Sequence, residues 1–172
     1  MTLGLLIVRV IAGLTMAAHG SQKLFGWFEG PGKQGTAGMM DNLGYRSPAI
    51  MASLAGLAEF AGGLAFAAGF LTPFAAIAIV VVMLNATFTV HLKNGFWNTA
   101  GGYEYPLVMS AIAVGIAATS PGDASLDNAL GFMGALSGDV WAVVVIAAAI
   151  VISTVTVTAG RHHEQLPGHM AR

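Results

Sequence analysis

An all-α, polytopic membrane helix bundle is the fold class that this sequence predicts, and three observations predict it. Of 172 residues, 56% are hydrophobic and only 9% are charged; a soluble globular chain carries about 25% charged residues. Mean hydropathy is +0.74. Five apolar segments recur along the chain, and a bilayer core of roughly 30 Å needs about 20 apolar residues per helix. A first group of functions is excluded by the same arithmetic. Lys+Arg 7 against Asp+Glu 8 leaves no basic patch for nucleic acid. With no cysteine there is no disulfide, thiol nucleophile, Fe–S cluster or Cys-ligated zinc. The 23 glycines suit membrane helices that pack closely.

The first span is predicted from about Leu3 to Gln22. It lacks a basic n-region and Arg9 interrupts it, so it reads as a span and not as a signal peptide. The second runs from Pro48 to Phe70, the third from Pro73 to Leu92, the fourth and shortest from Glu104 to Ser120, and the fifth from Val140 to Ala159. Pro48, Pro73 and Pro106 fall in first turns, where a missing N–H costs nothing. Gly69 to Pro73 makes a tight turn, so the second and third spans form an antiparallel hairpin. In the long loop from Phe25 to Ser47, Thr36 is positioned to cap a short helix ending near Gly44. Met39, Met40 and Leu43 share one face of it, as an interfacial helix requires.

Orientation follows from loop charge. Lys23, Lys33, Arg46, Lys93, Arg161 and Arg172 all fall on one side if there are five spans, while the other side holds only Asp123, Asp127 and Asp139. The positive-inside rule then puts the N-terminus outside and the C-terminus in the cytoplasm. The polar tail from Arg161 to Arg172 extends into the cytoplasm, and its His162-His163 pair carries no predicted role.

Ionisable groups inside the bilayer cost about 2.5–3.5 kcal/mol each at a helix centre, so they are the informative residues. Arg9 in the first span and Glu59 in the second are expected to pair in the core. As structure, the pair is a clamp fixing helix order; as function, it lines a ligand or proton site. Arg9, Met16, His19 and Lys23 are spaced to share one face, bordered by Gly13 and Gly20. Ala52, Gly56, Glu59 and Gly63 form a matching small-residue stripe. His19, Lys23, His91, Lys93, Tyr103 and Glu104 then gather in one layer, with Asn85 two turns deeper. This layer is either a set of interfacial residues with snorkelling lysines or a polar pocket for a ligand with an apolar tail. His19 and His91 could face each other as haem ligands, a thin signal from one pair. No compact metal-ligand cluster appears. Phe25, Trp27, Phe28, Phe96, Trp97, Tyr103 and Tyr105 form an aromatic belt on the same side.

Four motifs in order carry a family resemblance. R-x9-H-G-x2-K-L-x-G stands as Arg9, His19, Gly20, Lys23, Leu24 and Gly26. G-L-A-E-F-A-G-G covers Gly56 to Gly63, then come Gly69 and the Thr72-Pro73 turn, and then G-F-W-N and G-G-Y-E-Y between Gly95 and Tyr105. Over roughly residues 3–120 the chain resembles the DoxX family of small bacterial integral membrane proteins. The resemblance implies a four-helix membrane core over residues 1–120. Residues 121–160 then form an outer loop with an additional fifth transmembrane helix, for a partner or an oligomer contact, and 161–172 a polar tail. A relative, DoxD, is a subunit of an archaeal thiosulfate:quinone oxidoreductase, and other members are linked to sulfur metabolism and oxidative stress. The resemblance therefore implies a quinone-binding or docking subunit working with soluble redox enzymes, with Arg9, His19, Lys23, Glu59 and Glu104 as carried-over positions. The ligand-site candidates are these five with Asn85 and His91. None is assigned a catalytic role, because the chain has no redox-active side chain and electron transfer would use a bound quinone or a partner's cofactor. A non-enzymatic scaffold and a small transporter are the alternatives; one bundle without repeated halves argues mildly against transport.

Overall fold

The structure is a computed structural model that describes residues 2–161; the expectations for His162, His163 and Arg172 lie outside them. Among the described residues the chain is helical, and its one extended contact is an isolated antiparallel bridge between Tyr45 and Arg161. Five long helices alternate in direction: α1 (Thr2–Phe25), α3 (Pro48–Ala68), α4 (Thr72–Ala86), α5 (Glu104–Thr119) and α7 (Asp139–Ala159). Two short ones, α2 (Gly32–Asn42) and α6 (Leu126–Ala129), lie in the connections. A helix occupies each of the five predicted spans. Leu3–Phe25, Pro48–Ala68, Thr72–Asn94 and Asp139–Ala159 are long and apolar enough to cross a membrane, and α5 is shorter, with 16 residues. Their outward faces carry exposed apolar side chains such as Leu3, Ile11, Leu57, Val143 and Val151, as lipid contact requires. The molecule is a multi-pass membrane protein.

Helices α1 and α3 pack most extensively, α4 contacts α3, α5 and α7, and α7 lies against α4 and α5. The α1–α3 contact is made by glycines. A Cβ on Gly13 would collide with the backbone of Gly63 and Ala67, and one on Gly20 with that of Gly56 and Phe60. Small residues allow backbones to approach this closely, and the contact fixes a register. Position 13 of α1 lies level with about position 65 of α3, and 20 with about 58. The predicted stripe of Ala52, Gly56, Glu59 and Gly63 is buried. On α1 the buried face runs through Arg9, Met16 and Gly20, and His19 is exposed beside it, not on it.

Arg46, Lys33 and Lys93 lie at the end where α1 finishes, together with Arg161, here called the lysine end; Asp123, Asp127 and Asp139 lie at the other, the aspartate end. At the lysine end α2 packs across α1 and α3. It starts at Gly32, four residues before the predicted cap. Thr36 is buried within it, its hydroxyl donating to the Gly32 carbonyl at 2.8 Å and to the Lys23 carbonyl at 3.3 Å. Thr36 is thus a tie from α2 to α1, because a hydroxyl one turn into a helix finds the i−4 carbonyl and not free N–H groups.

The aspartate end is closed by a knot that the sequence reading did not foresee. α3 ends at Gly69 in the left-handed conformation, and Leu71 follows with φ of 45°. The buried Asp127 side chain holds this turn. Its carboxylate accepts from Leu71 N (2.7 Å), Thr72 N (2.9 Å) and the Thr72 hydroxyl (2.6 Å), capping α4 from a distance. Its own N–H donates to the Gly69 carbonyl at 2.8 Å.

Candidate functional site

The expected Arg9–Glu59 pair is replaced by two separate arrangements. Glu59 is ion-paired with Lys23, with side-chain exposures of 3% and 22%. Arg9, 1% exposed, donates to three backbone carbonyls: Nε to Ala67 at 3.0 Å, one terminal nitrogen to Pro121, and the other to Ala124 at 2.6 Å. Register and side-chain direction explain the exchange. The glycine contacts set Glu59 level with residue 19 of α1, ten residues or about 15 Å from Arg9. Helical side chains also lean toward their own N-terminus. Arg9 therefore leans toward the aspartate end. Lys23 leans into the bundle, and Glu59 on the antiparallel α3 leans toward Lys23.

With its partner Glu59 behind it, Lys23 lines a cavity of about 280 Å³. Its walls come from five elements. Lys23 enters from α1; Met39 and Met40 with Leu43 and Tyr45 come from α2 and the turn after it. Met51, Leu54, Ala55 and Ala58 belong to α3, Val82 and Asn85 to α4, and Ile152 and Thr156 to α7. The shared face expected of Met39, Met40 and Leu43 is turned into this cavity. Its polar groups are few. The hydroxyls of Thr89 and Thr156 are used within their own helices, donating to Asn85 and Ile152 carbonyls at 2.7 Å each. That leaves the Lys23 ammonium, the Asn85 amide and the Tyr45 phenol. Asn85 Oδ1 and Glu59 Oε2 are buried with no hydrogen-bond partner among the described residues. Beyond Asn85 the helix widens into a π turn, Thr87–His91, which directs Thr89 and Val90 to the cavity; such insertions recur at functional sites.

The remaining site candidates lie elsewhere. His91 donates from Nδ1 to the Gly101 carbonyl at 2.7 Å, and the Glu104 carboxylate accepts from Asn98 N at 2.9 Å. Both fasten the connection between α4 and α5, where Phe96 packs edge-on against Trp97 and Tyr103. His19 lies tilted against Tyr105 with ring centroids 5.6 Å apart and borders a shallow hollow with Gln22 and Phe28. Tyr105, expected in the interfacial belt, turns inward, with its hydroxyl toward the Met16 sulfur at 3.8 Å. His19 and His91 thus engage different partners. Of the seven candidates, the structure brings Lys23, Glu59 and Asn85 together and leaves Arg9, His19, His91 and Glu104 outside the group.

The cavity also has contributors that sequence reasoning missed: Tyr45, Ile152 and Thr156. Tyr45 is 4% exposed and forms the bridge to Arg161. Burial pushes its phenol above the ordinary range, and the Arg161 charge partly opposes this. Arg161 Nε donates to the Leu43 carbonyl at 2.6 Å, and Arg46 N donates to the Gly160 carbonyl at 2.9 Å. This clasp fastens the end of α7 beside the cavity. A tyrosine in a turn and an arginine 116 positions later carry no local signal of their meeting.

No curated protein and no solved structure matches the chain. The DoxX family model matches residues 4–92, which take in α1, α2, α3, α4 and the π turn, and so Lys23, Glu59 and Asn85 but neither α5 nor α7. Since that match covers just over half of the 172 residues, this multi-pass membrane protein belongs to the DoxX family.

Proposed function

We propose that this protein is a membrane subunit of a redox system and that the cavity beside Lys23 and Glu59 takes the head of a quinone. The observation that carries the reading is the chemistry of that cavity. Its walls are mostly apolar, and the polar side chains left to a ligand are Lys23, Asn85 and the Tyr45 phenol. Because Glu59 already neutralises Lys23, the site presents hydrogen-bond donors without net charge. That suits a neutral ring bearing carbonyls better than a phosphate or carboxylate head, whose charge would be left unbalanced in an apolar site. Lys23 has N–H groups beyond the one given to Glu59, and Asn85 offers either its NH₂ or its oxygen. Ligand pockets commonly measure about 300–1,000 Å³; about 280 Å³ holds a head and the start of a tail.

A bound quinone would supply two-electron, two-proton carrier chemistry that no side chain of this chain can provide. The chain's own residues orient the ring through Lys23 and Asn85 and exclude water with methionines and aliphatic side chains. Glu59 is the acid–base group held next to the head. In this reading the lysine end faces the cytoplasm, since Lys23, Lys33, Arg46, Lys93 and Arg161 gather there, and the membrane is the bacterial cell membrane. A soluble sulfur or oxidative-stress redox enzyme docks on α2 and the connection between α4 and α5. Exposed Trp27, Phe28 and Trp97 lie on that side.

The test is photolabelling of purified protein in lipid nanodiscs with an azido-quinone carrying an isoprenoid tail. Labelling of peptides from α3 or α4 that is competed by unlabelled quinone is expected, and Lys23→Met removes it. Absence of competed labelling in the unmodified protein overturns the reading and favours a scaffold that recruits redox enzymes without binding quinone.

A further inference from the structure

We infer that the cavity opens sideways into the bilayer through a cleft between α3 and α7, and that the ligand's apolar tail leaves through it. This rests on the ligand reading above and assigns the fifth helix a part in the same site. α3 and α7 each pack along α4 but make at most marginal contact with each other. A cleft therefore runs between them with α4 as its floor. At its deep end lie Lys23 and Asn85; Met39 and Met40 of α2 roof it at the lysine end. Two lining residues face outward as well as inward: Leu54 of α3 is 55% exposed and Ile152 of α7 is 43% exposed. Their neighbours on the same outer faces, Leu57, Val151 and Val155, are exposed and apolar. The opening thus faces lipid tails and not water.

Helix α7 is held as a fixed side of this opening. Ser153, next to Ile152, is buried and donates to the Val81 carbonyl of α4 at 3.3 Å. Val145 and Ala149 are fully buried, and the Arg161 and Gly160 contacts to the turn after α2 fasten the helix end. The occupant is one long isoprenoid chain on a neutral head. The cavity is too small for a whole lipid, so the tail needs an exit, and an exit toward hydrocarbon leaves the chain where it is most stable. The helix that lies beyond the family match is then a determinant of what the site admits.

The chain has no cysteine, which makes a single introduced thiol selective. Leu54→Cys and Ile152→Cys are folded in nanodiscs, then treated with a bulky methanethiosulfonate, and labelled with the same azido-quinone. Val143→Cys, on the exposed face of α7 but away from the cavity, is the control. Because the block is added after folding, a folding defect does not mimic it. Labelling is expected to be lost in both modified variants, restored by reductant, and unchanged in modified Val143→Cys. Undiminished labelling of modified Ile152→Cys overturns the lateral opening while the ligand reading stands. No labelling of the unmodified wild type overturns both.

Discussion

Lys23 and Arg9 are cations on one helix with opposite surroundings, and their substitutions should differ accordingly. Lys23→Met leaves the Glu59 carboxylate, 3% exposed, without a counter-charge, a loss worth about 3–5 kcal/mol when a buried pair is broken. Glu59→Gln leaves Lys23, which is 22% exposed and long enough to snorkel to the interface. Thermal melts in detergent should therefore place Lys23→Met well below Glu59→Gln, and the double substitution Lys23→Met with Glu59→Gln above Lys23→Met alone. Equal melting of the two single variants would sink this account. The proposed quinone role predicts that quinone-linked activity vanishes in folded Glu59→Gln protein; retained activity removes Glu59 from the mechanism. At the aspartate end, Asp127 accepts from Leu71 N, Thr72 N and the Thr72 hydroxyl. Asn offers one oxygen and cannot serve both N–H groups from two sides. Asp127→Asn should destabilise by about 1.5–3 kcal/mol, the worth of a hydrogen bond to a charged group, as read from the loss of folded protein on heating.

At the scale of the element, the α1–α3 contact depends on backbones that touch through glycine. A Cβ at Gly63 would stand 2.5 Å from Ala17 N and 2.6 Å from the Gly13 carbonyl oxygen, so relief requires the helices to separate. Gly63→Leu should therefore uncouple α1 from α3 and abolish monodisperse protein in size-exclusion chromatography. Gly115→Leu, where nothing lies within 4 Å, should leave the profile unchanged. The clasp between α7 and the turn after α2 is pH-sensitive in a defined direction. Burial raises the Tyr45 phenol above its ordinary value, so the folded state holds this proton more tightly than the unfolded chain. Its contribution is full below the unfolded value of about 10 and is lost as pH rises through the higher folded value. Alkaline loss of stability should be smaller in Tyr45→Phe than in wild type, measured by melting between about pH 9 and 12; an identical loss would rule out Tyr45 as its source.

For the whole molecule, the division at residue 120 that the resemblance implies meets a physical obstacle. Two of the three carbonyls that hold Arg9 belong to Pro121 and Ala124, and the side chain that caps α4 belongs to Asp127. A chain cut at Ser120 strands a buried guanidinium and should aggregate on expression, whereas one cut after Ser137, lacking α7, should retain a soluble-in-detergent bundle but lose the Ile152 side of the cavity. Recovery of a stable, monodisperse protein from the shorter chain would show that the loop before α7 is dispensable.

The positions and approximate limits of the five long helices were legible in the sequence, because lipid imposes apolarity on each segment separately. The small-residue stripes on α1 and α3 were legible for the same reason, each being periodic within one helix. The partner of Glu59 was not. Pairing depends on which turns of two antiparallel helices meet, and that offset is set by the glycine contacts between them, not by either sequence alone. The same holds for Arg9 with its carbonyls, Asp127 with the start of α4, and Ile152 with Leu54 across the cavity. Local composition determined that this chain lies in a membrane as a helical bundle; the register of one helix against another decided which of its buried charges guard the cavity and which only close its end.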